Sequence, residues 1–65
     1  MIEITKFKEL KTAINNKIYI IDCNENNIVR KDFYIGLNVI IDNIVWRIIR
    51  MHDISDENIA CLIVD

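Results

Sequence analysis

The chain has 65 residues, 52% of them apolar and 28% charged, with a formal net charge of −2. A chain this short supports one small domain, residues 1–65, because it buries only about 60% of the surface that its unfolded form exposes. The apolar content separates it from disordered chains, and a single Gly and a single His exclude a phosphate-cradling loop and a large cofactor fold.

Sixteen Ile stand against four Val and three Leu. Ile is stiff at χ1 and suits the pleated surface of a sheet, so the bias favours strands. With eight Asn and no Pro, the turns are marked by Asn and Asp, which tolerate left-handed backbone and bond to their own main chain.

In residues 5–14, Phe7, Leu10 and Ile14 fall at helical spacing, and Thr5 suits an N-cap. The spacing predicts the one helix, stopped at Asn15 or Asn16, with Ile2, Glu3 and Ile4 as an alternative short strand before it. Residues 17–23 and 28–30 flank Asn24, Glu25, Asn26 and Asn27 and predict a hairpin. Residues 32–35 bridge or bend towards Gly36, which permits a sharp turn or bulge. A second hairpin joins residues 39–41 to residues 44–51 through Asp42 and Asn43, a pair suited to a type I′ turn. Residues 60–64 form the last strand.

Residues 36–48 resemble the central hairpin of small SH3-like barrels, in which a glycine precedes a valine-rich strand, a tight turn and an aromatic strand. The resemblance implies a strongly bent sheet. The expected class is therefore α+β, one N-terminal helix packed on a bent antiparallel sheet of four to five strands, with an SH3-like small barrel as its closed form.

Strict alternation along residues 44–51 places Ile44, Trp46, Ile48 and Arg50 on one face and Val45, Arg47, Ile49 and Met51 on the other. Both faces are mostly apolar, so both call for cover, either from sheet curvature or from a second copy or partner.

Cys23 and Cys61 lack a C-x-x-C spacing and are expected as reduced thiols in a cytoplasmic protein. No apolar run approaches a membrane span, and the N-terminus has no signal-peptide core, so no membrane association is expected. His52 has no second His to work with and sits before an acidic stretch, the pattern of a surface loop rather than a general base or metal ligand. No catalytic residue, metal or cofactor is expected. A pI near 5.2 disfavours nucleic acid, although a patch of Lys6, Lys8, Lys11 and Lys17, or a small barrel using Lys6, Lys8, Lys11, Arg30, Lys31, Arg47 or Arg50 with Tyr19, Tyr34 or Trp46 stacking on bases, stands as an alternative.

The expected function is a non-enzymatic protein–protein interaction module that occupies a surface of a larger host protein. Ile, Asn and Lys have A/T-rich codons, which suggests a bacterial or phage source, and the size fits a phage-type inhibitor of a host defence system, anti-CRISPR-like. A self-associating homodimer is the other alternative. For partner contacts the sequence offers Trp46, Arg47 and Arg50, residue types enriched at binding hot spots. It also offers Asp53, Asp56 and Glu57, an acidic trio suited to a basic groove on the partner.

Overall fold

The computed structural model describes residues 1–11, 16–53 and 58–65, with Asp53 described in its backbone alone. Six strands follow one another: β1 (Ile2–Ile4), β2 (Lys8–Leu10), β3 (Lys17–Asp22), β4 (Asn38–Ile41), β5 (Ile44–Asp53) and β6 (Ile59–Val64). They form one mixed sheet in the order β1-β4-β5-β6-β3-β2, in which β1 runs parallel to β4 and the other pairs are antiparallel. The only helical element among the described residues is a single 3₁₀ turn, Arg30–Asp32.

The expected N-terminal helix is thus replaced by strand. A ten-residue helix is marginal by itself, whereas Lys8–Leu10 finds a partner on which every residue pairs, Leu10 opposite Ile18 and Lys8 opposite Ile20. Thr5 does not act as a cap. Its amide and that of Lys6 both donate to Oδ1 of Asn26, at 3.1 and 3.0 Å, while Nδ2 of Asn26 donates to the carbonyls of Lys6 and Asp22 at 2.8 and 2.9 Å. One side chain therefore fixes the corner between β1 and β2. The remaining part of the expected helix, residues 12–14, lies outside the described residues.

The first expected hairpin also fails, because β3 pairs with β2 and β6 and not with residues 28–30. Residues 24–27 turn the chain instead, with Asn27 in left-handed backbone at φ 56° and the amide of Ile28 donating to the carbonyl of Cys23. The second hairpin forms as the turn residues dictate, with Asp42 and Asn43 at φ 55° and 64° and Ile41 opposite Ile44.

The sheet is curled. Its two outer strands, β1 and β2, are joined by residues 5–7 alone, and four Cα steps span at most about 15 Å. No pairing joins those two edges among the described residues, so the sheet is bent but not a closed SH3-like barrel. The concave side holds the core: Ile4, Tyr19, Ile21, Phe33, Val39, Ile41, Ile48, Leu62 and Val64 among others, with Trp46 and Met51 packed half-buried against it. No charged side chain is buried among the described residues, as the cost of burying an unpaired charge requires.

Candidate interaction surface

β5 belongs to both halves of the curl. Its first part pairs with β4 up to Arg47 opposite Asn38, and its second part pairs with β6 from Ile48 opposite Val64 onward. Between them the register slips at Ile49, a bulge that sets Ile49 and Arg50 against Ile63. Arg47 and Arg50 are three residues apart and would point to opposite faces of a regular strand. The extra residue brings both to the convex, outward face and sends Met51 to the core side, correcting the expectation that Arg50 shares a face with Trp46 and Ile48.

Trp46 points inward. Its ring lies 6.4 Å from that of Tyr19, which in turn meets Phe7 edge-on at 5.4 Å, forming an aromatic row on the core side. Its Nε1 is buried without an acceptor, which costs about 1–3 kcal/mol. The core therefore claims most of this side chain, although Trp46 and Arg47 together line an open groove of about 350 Å³ with Asn38, Val45, Ile49 and Asp65. Reciprocal backbone bonds of 3.0 Å join Arg47 to Asp65 and hold the floor of that groove.

The most exposed apolar side chains of the interior sequence lie in residues 29–35, an arch between β3 and β4. Val29, Tyr34, Ile35 and the outward Val45 of β5 are 54%, 57%, 63% and 56% exposed. The arch is nevertheless rigidly seated. Asp32 donates to Val29, Phe33 to Arg30 and Leu37 to Tyr34 through backbone amides, while Phe33 and Leu37 plug into the core. Gly36, at φ 98°, donates to the carbonyl of Ile48 at 2.8 Å, a backbone conformation in which only glycine is free of strain. Ile35 and Ile49 each sit one residue from that bond. The backbone of the arch thus meets β5 beside Ile49, and the exposed Tyr34 and Ile35 lie next to the stretch that carries the exposed Arg47, Ile49 and Arg50.

Asp53 closes β5 opposite Ala60. Its side chain, and the whole of Asp56 and Glu57, lie outside the described residues, so the acidic trio has no structural account. His52 is exposed opposite Cys61. Cys23 faces the core and Cys61 the outward side, so the two thiols are on opposite faces of the sheet, and both are free. Burial pushes each thiol above its ordinary value, which keeps both in the protonated, weakly nucleophilic form. Among the described residues no three His, Cys, Asp or Glu gather as metal ligands, and no helix is long and apolar enough to cross a membrane.

The lysines that a nucleic-acid surface would need are divided. Lys8 faces outward beside Ile20, whereas Lys17 is held at 2.7 Å by Glu9 on the other side of the sheet, and the carboxylate raises the Lys17 pKa through that bond and its charge.

Ile35 and Val29 are contact candidates that sequence reasoning missed, and it offers Tyr34 only for stacking on bases. The available signal was the run Phe33, Tyr34, Ile35 ahead of Gly36, three large apolar residues where a half-buried strand alternates. No family model matches the chain, and no curated protein or solved structure is significantly similar to it.

Proposed function

We propose that the protein is a non-enzymatic interaction module that occupies a surface of a larger protein, with the arch and the outward row of β5 as its contact. The observation that supports this reading most is the pairing of exposure with rigidity in residues 29–37. Tyr34 and Ile35 stand in solvent, yet Phe33 before them and Leu37, just beyond Gly36, are buried. A seated arch loses little conformational entropy when it docks, so the apolar area it buries is not offset by the cost of ordering a loop. Tyr and Arg are also the side chains that most often dominate such contacts, and Arg47 and Arg50 flank the apolar residues.

The reading is tested by immobilising the chain, passing over it a lysate of the cells it comes from, and repeating the experiment with a Tyr34→Ser, Ile35→Ser double variant. Proteins retained by the wild type should be released by the variant, while its thermal unfolding midpoint stays within the range of ordinary surface substitutions. Retention that ignores the double variant, or no retention by either form, contradicts the reading. Light scattering on both forms separates the self-association alternative: a dimer dispersed by the same two substitutions would make the partner a second copy.

A further inference from the structure

β1 lies at one edge of the sheet, runs three residues parallel to β4, and is joined by residues 5–7 to β2 on the opposite edge. Among the described residues its backbone is paired on one side alone. Its side chains nevertheless complete the core: Ile4 is 2% exposed, and Ile2 packs half-buried against the cluster. The place beside β4 has to be filled, because leaving it empty would open a cavity at Ile4 and strip the edge of β4 of its partner. Nothing in the pairing itself requires the strand that fills it to come from the same chain.

That choice falls to the corner at residues 5–7, and the corner is tied by the side chain of Asn26. Its Oδ1 accepts the amides of Thr5 and Lys6 at 3.1 and 3.0 Å, and its Nδ2 donates to the carbonyl of Lys6 at 2.8 Å. The corner residues themselves favour extended backbone. No Gly, Pro, Asn or Asp stands between Ile2 and Leu10, and β-branched Thr5 and aromatic Phe7 suit a strand. The side chains also change phase across the corner. Ile2 and Ile4 face the core from even positions, whereas Phe7 and Glu9 take the side of Tyr19 from odd ones. Straightened into one strand, residues 2–10 would carry Ile2 and Ile4 on the face opposite Phe7 and Glu9. Such a strand delivers its first part to a core on its other side, so the core it leaves and the core it enters do not collide.

We propose that β1 is exchanged between two copies of this chain: residues 5–7 straighten, and each β1 takes the place beside β4 of the other copy. A second copy is the occupant that this place fits, because a parallel strand filling it must present isoleucines at the positions of Ile2 and Ile4, opposite Val39 and Ile41. The β1 of a second copy does so by identity. The closed chain and the exchanged pair make the same β1–β4 contacts and differ at the corner, so the balance between them is set by Asn26 and by concentration. The exchange shares no residue with the arch contact and goes beyond it, and either can fail without the other.

Light scattering behind size-exclusion chromatography tests it on the wild type, Asn26→Asp and Asn26→Ala, each warmed through its unfolding midpoint at millimolar concentration and cooled. All three should yield a dimer. The association constant should rise by about a thousandfold from the wild type to Asn26→Ala, because every exchanged pair releases two corners. Asn26→Asp keeps an acceptor for the amides of Thr5 and Lys6 and should fall between them; with the wild type it carries the comparison if Asn26→Ala does not refold. In a dimer assembled from isotope-labelled and unlabelled chains, isotope-filtered NOEs should join Ile4 of one copy to Ile41 of the other. The Tyr34→Ser, Ile35→Ser variant should dimerise as the wild type does, which separates the exchange from association through the arch. Monomers throughout, equal association constants across the Asn26 series, a dimer dispersed by the arch substitutions, or a dimer in which no filtered NOE joins β1 to β4 would each overturn the proposal.

Discussion

The β4–β5 hairpin and the N-terminal segment that carries β1 and β2 are held in contrasting ways. The hairpin is specified where it stands: Asp42 and Asn43 take the left-handed conformations that a two-residue turn needs, and the alternating residues on either side meet in register. Residues 2–10 have no such local instruction. They become two short strands on opposite edges of the sheet because Val39 to Ile41 and Ile18 to Ile20 receive them, and because Asn26, some twenty residues away, bonds the corner between them. A local turn survives changes elsewhere, whereas a corner built on one distant side chain depends on it.

The largest effect should come from that side chain. Asn26→Ala removes the three bonds that its Oδ1 accepts and the two that its Nδ2 donates, and should cost about 2–3 kcal/mol, read from urea unfolding, with the loss concentrated in faster exchange of the Thr5 and Lys6 amides. A cost below that of one ordinary hydrogen bond would mean the corner is held by packing instead. Gly36→Ala comes next. Open space surrounds the site, so the cost of about 1–3 kcal/mol would be backbone strain at φ 98° and not a clash.

In the hairpin the same kind of change should help. Asn43→Gly relieves about 1 kcal/mol of left-handed strain and returns part of it to the unfolded chain as entropy, a net gain of about 0.5 kcal/mol in the same assay. The smallest effect belongs to the exposed ion pair. The Lys17 pKa is raised above its ordinary 10.5 by the bond to Glu9 and by its charge, so whatever stability the pair adds is fully present below pH 10.5 and is lost as pH rises through the higher folded value. Glu9→Gln should flatten that alkaline limb of the stability curve and lower the Lys17 titration midpoint followed by NMR.

How much of this could be read from the chain follows the same division. Gly36, Asp42 and Asn43 announce their backbone conformations, and the last strand, expected over residues 60–64, runs from Ile59 to Val64. The spacing of Phe7 and Leu10 fits a helix as well as a strand, and the deciding partners, Ile18 to Ile20 and Asn26, are remote in sequence. The class was accordingly misjudged: an α+β domain was expected, and the sheet is nearly everything. At the candidate surface, Arg47 was placed correctly on the face with Val45 and Ile49. Arg50 was not, because the bulge at Ile49 is set by pairing with β6 and no Gly or Pro marks it. Trp46 went to the core, as the largest apolar side chain in a small protein tends to do. Ile35 escaped notice, and Tyr34 was offered only for stacking on bases, because their exposure depends on Phe33 and Leu37 being taken by the core, a fact of packing.

The interaction account rests on the arch being where another protein touches this one, and a photo-activated cross-linker reads that contact directly. A benzophenone side chain placed at position 35, and in a separate variant at position 43 on the opposite end of β4, should give unequal results on irradiation in the cells the chain comes from. The account predicts a discrete protein adduct from position 35 that disappears when Tyr34 is replaced by Ser, and little or none from position 43. Equal adduct yields from the two positions, or an adduct from position 35 that is indifferent to Tyr34, would contradict it.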